Sequence, residues 1–497
     1  MLAELGLTEA DWSHTPPAAR AALTVLWQQN LLLQSRCAAY EAQVERLQAQ
    51  VAELEKLRLE VAELRERLGR NSGNSSQPPS SDPPHQRRTR TQEPSGRKRG
   101  GQPGHPGHGR KLLPVEKVDQ VIELRPVSCQ QCGSLLLGDD PQPLRRQISE
   151  IPPAQACVTE YRAHCLCCLH CGVSTMAAWP PDLPTGSFGP RVQAVVAYLT
   201  GRLNLSQRDV TEALDVLHGL PLSLGSVAAL QQQVSAALAQ PVETAQRFLA
   251  QQTRHQVDET SWLEEHQLHW LWVDATPQAT VFHIFKERGQ QRAQEILGSK
   301  FAGVVNTDRY RAYDWLNEEC RQLCWAHLKR DFQAFAERGG QSAEIGQALL
   351  AAVKELFHYW HELRKGERDW SSFQQVMQPV QERVKQLLEQ GTNCEHTKTA
   401  GTCREILKLE TALWTFTRIE GVEPTNNAAE RSLRRAVLWR RKSFGTQSAT
   451  GSQFVARILT VVTTLRQQGR DVLAWLTAAC SAAAGRPTPC CLLPDTS

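Results

Sequence analysis

Twenty-one of the forty-three residues between positions 69 and 111 are Gly, Pro or Ser, so the chain cannot fold around one continuous core. Gly loses the most backbone freedom on ordering, Pro removes a backbone donor, and few apolar side chains are present to offset either cost. The stretch also carries nine basic residues (Arg70, Arg87, Arg88, Arg90, Arg97, Lys98, Arg99, Arg110 and Lys111) against two acids, a local charge of +7. It reads as a disordered basic arm able to lie along phosphates without reading sequence, or as a solvated linker. The whole 497-residue chain carries only +4, so the remainder is net acidic outside a few basic segments. Its length corresponds to roughly three domains at about 150 residues each. No apolar run reaches the ~18 residues that span a bilayer. The start, MLAELGLTEADW, has no basic leader region. Fifteen cysteines, an odd number, in such a chain argue for metal ligands or free thiols in a reducing compartment. Membrane, secreted and collagen-like classes are not expected.

The arm separates two different periodicities. Before it, Leu26, Leu33, Tyr40, Leu47 and Leu54 fall on heptad d positions, with Asn30, Cys37, Val44 and Val51 on a positions. The seam then slips by three residues and continues through Leu57, Val61, Leu64 and Leu68, a stammer that overwinds a coiled coil locally. β-Branched a positions with Leu at d favour a parallel dimer, and Asn30 at an a position fixes register. Residues 1–68 therefore read as a dimerisation helix and 69–111 as the arm. One long amphipathic helix packed on its own protein is the competing expectation.

After the arm, residues 112–180 hold Cys129-Gln-Gln-Cys132-Gly133 and Cys168-Leu-His-Cys171-Gly172. A CxxC turn sets two thiolates on one side of a metal, and two such pairs complete a closed, tetrahedral structural Zn²⁺ site. Cys165 and Cys167 leave the second pair ambiguous, because Cys165 and Cys168 also have CxxC spacing. Residues 181–250 read as short helices joined by Gly turns, with Ser206 as an N-cap; a helix-turn-helix and a plain helical module remain equally open.

The period changes again at residue 255. Residues 255–258 read as a strand ending in Asp258, 269–274 and 279–285 as two more, 290–297 as a helix, 301–308 as a fourth strand ending in Asp308, and 322–325 as a fifth leading into a helix from Ala326. The order is βββαβαβ, that of an RNase H-like core, spanning 251–485 with a helical insertion at about 335–420; 486–497 is a tail. First and fourth strands lie side by side in such a core, so Asp258 and Asp308 meet at one end of the sheet. Adjacent carboxylates repel, and hard divalent cations, Mg²⁺ or Mn²⁺, relieve the repulsion. Two such ions serve phosphoryl transfer. The third carboxylate is expected at Glu430, although Asn427-x-x-Glu430 also resembles a capping box and Glu430 can pair with Arg434. Arg431, Arg434, Arg435, Arg440, Arg441 and Lys442 follow it without an intervening acid. His327 and Lys329 open a helix near the core as candidate DNA contacts. Asp274 reads as a local turn cap, and strand alternation turns Glu259 to the face opposite Asp258.

These pieces, with Gly69-Arg70-Asn71-Ser72-Gly73-Asn74-Ser75-Ser76-Gln77-Pro78-Pro79-Ser80-Ser81-Asp82, Gly100-Gly101-Gln102-Pro103-Gly104-His105, Asp258-Glu259-Thr260, Thr307-Asp308-Arg309-Tyr310, Cys324-Trp325-Ala326-His327 and Asn426-Asn427-Ala428-Ala429-Glu430-Arg431, occur in one order and spacing. Through them the chain resembles the insertion-sequence-66 family of DDE transposases. The resemblance implies that Asp258, Asp308 and Glu430 are the catalytic triad, that DNA is the substrate both as transposon end and as target, that small accessory proteins of the same element take part, and that the chain works in the bacterial cytoplasm on the nucleoid. Two positions depart from the family pattern: Arg309 stands where Gly is common, and Thr425 where Asp is common. A zinc-containing DNA-binding regulator derived from a transposase, and a structure-selective nuclease of the same fold, remain alternatives.

Overall fold

The computed structural model describes residues 1–3, 5, 6, 8–69, 111–181, 183, 186–485 and 491–493. The basic arm with Arg87, Arg88, Arg97, Lys98 and Arg99, and most of the tail, lie outside the described residues. The chain divides into two units, 1–86 and 87–497.

In the first unit, Thr8 and Asp11 form a capping box for α1 (Glu9–His14). Pro17 then opens α2 (Pro17–Gly69), 53 residues of mostly strong helix formers, about 80 Å long at ~1.5 Å per residue. The heptad residues share one stripe and stay open to solvent: Leu26, Leu33, Tyr40, Leu47 and Leu54 are each more than half exposed. No described helix is long and apolar enough to cross a membrane.

The second unit begins with a segment, 111–180, in which no described residue is buried. Its order is local. Each cysteine knuckle is a tight turn in which a Gly amide donates back to the first Cys carbonyl, Gly133 to Cys129 at 2.9 Å and Gly172 to Cys168 at 2.8 Å. Both glycines sit at positive φ, 72° and 73°, which a Cβ would strain. Around the second knuckle, β1 (Cys165–Cys167) pairs antiparallel with β2 (Ser174–Met176).

Four helices follow: α3 (Pro190–Gly201), α4 (Gln207–His218), α5 (Leu224–Ala237) and α6 (Ala239–Leu249). Ser206 caps α4 as its sequence predicts, in a reciprocal box with Asp209, and Gly219 closes it in the left-handed conformation. The expected boundary at 250 is not a break in packing. Ala194, Val234 and Leu249 of this group share one hydrophobic cluster with Phe454, Ile458 and Leu476 from the far end of the chain. Helix α5 packs one side into the body through Val227, Leu230 and Val234 and leaves Ala229, Gln232, Gln233 and Ala236 exposed on the other.

The centre is a five-stranded mixed sheet of β3 (Arg254–Glu264), β4 (Gln267–Ala275), β5 (Thr280–Phe285), β6 (Val304–Thr307) and β7 (Arg321–Leu323), in the order β5-β4-β3-β6-β7. The β3-β4-β5 meander is antiparallel, and β3–β6 and β6–β7 are parallel. Helix α7 (Gln290–Leu297) and two 3₁₀ turns, Arg311–Tyr313 and Glu318–Cys320, make the crossovers. The first strand does not end at Asp258 as expected. It continues six residues to Glu264, because the ladder with β4 runs on and carries Trp262 into the core. The polar letters of 259–265 hid that continuation.

One sheet face packs Trp262, Leu271, Val273 and Phe282 against α14 (Asn427–Ser443) and α15 (Ala449–Gln467). The other packs Val257, Trp272 and Val305 against α7 and Tyr313. Between β7 and α14 lie α8 (Trp325–Ala336), α9 (Gly340–Lys365), α10 (Trp370–Thr392), α11 (Thr397–Leu407), α12 (Glu410–Leu413) and α13 (Thr415–Arg418). They hold their own core, with Phe335, Leu356, Phe373 and Phe416, which also covers Val304 and Leu323 at the sheet edge. Helices α9 to α13 occupy the stretch where the helical insertion is expected. Helix α16 (Val472–Ala483) is the Ala-rich apolar run near the end, capped by Asp471.

Candidate active site

Parallel pairing sets the register that matters. Gln256 of β3 lies opposite Asn306 of β6, so two residues further on Asp258 and Asp308 come level. Alternation puts Asp258 on the Trp262 face, toward α14, and Glu259 on the Tyr313 face, as expected.

Glu430 arrives from α14, whose first turn is pinned to both strands. Asn426 is fully buried and donates its amide to the Val257 carbonyl at 2.7 Å; the Ala428 amide donates to Gln256 Oε1 at 2.9 Å. Asn306 reaches over from β6 and donates to the Glu423 and Thr425 carbonyls at 2.6 and 3.2 Å. The anticipated capping box is not made. The N-cap is Asn426, without a side-chain capping bond, and Glu430 turns toward Cys324, His327 and Arg330.

The carboxylates feel one another. Burial, and then the charges of Glu259, Asp308 and Glu430, push the Asp258 carboxyl well above its ordinary range. Among the described residues its one hydrogen bond comes from the Glu259 amide, 2.9 Å away, and no cation pairs with it. Asp308 accepts from the Tyr310 amide at 2.8 Å. Burial also raises Glu430, against the opposing charge of Arg330. A group of acids that repel, with Asp258 uncompensated by any protein cation, suits a divalent ion with oxygen preference.

Glu259 differs, because it has its own counter-ion. Arg288 donates to its Oε1 at 2.6 and 2.9 Å, and the Tyr313 hydroxyl donates to Oε2 at 2.9 Å. The guanidinium lies 3.7 Å over the Tyr310 ring and 4.6 Å from that of Trp270, and Tyr310 in turn donates its hydroxyl to the Arg288 carbonyl at 2.6 Å. Tyr310 therefore links the Glu259 pair to the loop holding Asp308. Behind that loop, buried Arg321 donates to Thr307 Oγ1 at 2.9 Å and to the Asp308 carbonyl at 2.8 Å. Arg309, one of the departures from the family pattern, pairs with Asp331 at 2.7 Å.

Cys324, His327 and Glu430 are the one group of three potential ligands among the described residues whose ligand atoms lie within 4.8 Å of one another. Burial pushes the Cys324 thiol up to about 12, so it remains protonated near neutrality. It accepts from the Asn426 amide at 3.2 Å and sits 3.9 Å from Glu430. Burial and the Arg330 charge lower His327 to about 4, which leaves a neutral imidazole 3.4 Å from Glu430 rather than a cation for phosphate. Lys329 is exposed.

The remaining sequence candidates divide. Arg440 is engaged by Ser261 and Thr260 of β3, and Arg435 by the Arg202 carbonyl at 2.8 Å. Both tie α14 to the body. Arg431, Arg434, Arg441 and Lys442 are exposed. Asp274 is no turn cap: it is buried and accepts from His255 Nδ1 at 2.8 Å. Asp274's charge and hydrogen bond raise His255 despite the opposing, larger effect of burial on its charged form. Within each cysteine knuckle the thiols are neighbours; hydrogen bonding to Ser134 and Cys129 lowers Cys132 to about 7. The four thiols of Cys129, Cys132, Cys168 and Cys171 are not gathered into one ligand cluster, since no buried side chains draw the two hairpins together. Arg288, Tyr313, Arg321 and Arg330 escaped sequence reasoning; none lies in a spaced motif that points at the carboxylates.

Among known proteins, the chain is 24 % identical over 400 residues to the uncharacterized protein y4hP of Sinorhizobium fredii, covering 73 % of this chain and 71 % of that one. It is 27 % identical over 232 residues to y4qI of the same organism, 42 % of each chain, so it spans less than half of that relative. A family of unknown function, DUF6444, matches residues 15–111. The Transposase IS66 family matches residues 185–454, more than half of the chain and the whole of the five-stranded sheet. By that match the chain belongs to the IS66 transposase family.

Proposed function

We propose that this chain cuts and joins DNA as a DDE transposase, with Asp258, Asp308 and Glu430 as its catalytic carboxylates. The observation carrying this reading is that β3, β6 and α14 bring the three acids to one end of the sheet, near enough for the charges of Asp308 and Glu430 to raise Asp258, which pairs with no cation among the described residues. The sheet order β5-β4-β3-β6-β7 supports an RNase H-like core, in which strands one and four flank the site.

Asp258, Asp308 and Glu430 would hold Mg²⁺ or Mn²⁺, two ions supplying activation of the attacking oxygen and charge neutralisation at the leaving one. The reaction class is phosphodiester hydrolysis that frees a 3′-hydroxyl, then attack of that hydroxyl on a target phosphodiester. The protein keeps the acids at fixed separation. Asn426 and Asn306 anchor the first turn of α14 to the strands, the Cys324 thiol bonds to Glu430, and the Tyr310 amide holds Asp308. The exposed basic residues Arg431, Arg434, Arg441 and Lys442, with the arm, suit a phosphate backbone. Cys129, Cys132, Cys168 and Cys171 would hold structural Zn²⁺; both knuckles have the turn that such a site uses. The α2 seam suits association of two protomers.

The test is Asp258→Ala and Glu430→Ala in full-length protein, assayed with Mg²⁺ on DNA carrying the element's ends. Cleavage and strand transfer fall by at least about a thousandfold, an expectation from losing a residue acting in a concerted metal site, while DNA binding persists. Full activity of Asp258→Ala overturns the assignment.

A further inference from the structure

Glu430 also belongs to a second donor set. Cys324 is the N-cap of α8, and His327 stands one turn on, its amide donating to the Cys324 carbonyl at 3.0 Å. That spacing sets a sulfur and an imidazole on one side of the helix start, and Glu430 meets them from α14. The ligand atoms of all three lie within 4.8 Å of one another. Cys324 Sγ is 3.9 Å and His327 Nδ1 3.4 Å from Glu430 Oε1. Two ligands of a tetrahedral ion, each ~2.0–2.3 Å from it, lie ~3.3–3.6 Å apart, so the three atoms stand near the corners of such a site.

The imidazole supplies an independent sign of a ligand. His327 Nδ1 is buried and makes no hydrogen bond, although a carboxylate oxygen faces it. Without a shared proton, the lone pairs of nitrogen and oxygen oppose each other, and a cation between them relieves the opposition. The sulfur is held in place, accepting from the Asn426 amide at 3.2 Å. The His327 and Glu430 side chains are 28 % and 34 % exposed, which gives an ion a way in from solvent.

These donors differ in kind from Asp258 and Asp308. Thiolate sulfur and imidazole nitrogen select Zn²⁺ or Co²⁺, whereas Mg²⁺ keeps to carboxylate oxygen and water. Binding takes the thiol proton, which passes to solvent. Thiolate and carboxylate then cancel the divalent charge while the imidazole stays neutral. Arg330, 3.8 Å from Glu430 Oε1, is left beside an uncharged complex rather than a second cation.

We propose that Cys324, His327 and Glu430 form a site for one zinc-class divalent ion, and that this ion blocks the DNA chemistry by holding Glu430 away from Asp258 and Asp308. A carboxylate committed to the sulfur side no longer completes an oxygen set for Mg²⁺, so one side chain serves either ion but not both. The binding site stands on the three residues themselves; the block rests on the transposase reading.

The test titrates full-length protein with Co²⁺ in excess Mg²⁺ and follows thiolate-to-cobalt absorption. Cys324→Ser is titrated beside it, so that cobalt held by the knuckle cysteines cancels in the difference. The difference shows about one thiolate-bound cobalt per chain, as a single site requires. His327→Ala and Glu430→Gln each weaken that binding by at least about tenfold, since even outer-shell losses cost ~10–100-fold, and Asp258→Ala keeps it; melting temperature checks the fold. Identical titrations of wild type and Cys324→Ser overturn the site, as does a band that His327→Ala and Glu430→Gln leave unchanged; where Cys324→Ser fails to fold, the other two variants decide. A band lost in Asp258→Ala overturns the separation from the hard-ion site. Zn²⁺ is then added to the Mg²⁺ cleavage reaction: the rate falls in step with displacement of the cobalt band and recovers as Mg²⁺ is raised. Undiminished cleavage with the site filled overturns the block alone. No cleavage in Mg²⁺ without Zn²⁺ overturns the transposase reading and leaves the cobalt result standing.

Discussion

Among the described residues Asp258 has three carboxylates for neighbours and no cation, whereas Glu259 beside it in sequence has Arg288 and Tyr313. That asymmetry separates an acid that suits a metal ion from one that is structural. Since the Asp258 carboxyl lies well above its ordinary range without a metal, cation binding must displace a proton. Affinity for Mn²⁺ is therefore expected to rise with pH, and calorimetry in two buffers of different ionisation enthalpy reads out the released proton. Affinity independent of pH would contradict the raised carboxyl. Asp258 and Asp308 were legible in the sequence because each lies in or just after a run of strand formers. Period-two alternation likewise turned Glu259 away. Arg288, Arg330 and the thiol of Cys324 were not legible, because they reach the carboxylates only through the chain's return from distant positions.

At the scale of elements, helix α14 combines two functions. Glu430 turns toward Cys324, His327 and Arg330 and the exposed arginines turn to solvent, while Leu433 and Ala436 pack on the sheet and Arg435 and Arg440 bond to Arg202 and β3. A run of six basic residues gave no means of dividing them; only the faces of the packed helix did. Gly445 shows the same dependence. It lies at φ 107° with the Leu263 carbonyl where a Cβ would stand, which lets the chain turn from α14 back across the β3 hairpin. The cysteine knuckles are the opposite case, legible in their CxxCG letters and formed as local turns. Because residues 111–180 bury no side chain, the proposed ion would add order to the knuckles beyond what their turns supply. Purified full-length protein is expected to contain about one zinc per chain by elemental analysis. Cys132→Ser or Cys171→Ser removes most of it while leaving the main melting transition in place. A zinc-free wild type with the same transition would remove the metal from the proposal.

For the whole molecule, α2 exposes an apolar stripe from Leu26 to Leu64. Association of two such helices would cover it, with Leu and Val in the positions that favour a parallel pair. Light scattering on full-length protein is expected to give twice the 55.6 kDa chain mass, and Leu33→Glu with Leu47→Glu to return the monomer; a monomeric wild type would exclude the seam as the dimer contact. The sequence by itself determined the features written in short-range order: the heptad, the knuckles, the strand and helix sequence from β3 to α8, the helical insertion and the two strand acids. Each follows from a period or a turn that acts over a few residues. Only the tertiary structure decided that 190–249 packs into the body with α15 and α16, that β3 continues past Asp258, and that Glu430 faces the strands rather than its own helix end. The physical reason is that burial and charge are settled by groups meeting across long stretches of chain, as Asn426 does with Val257, and no local pattern encodes which distant group will arrive.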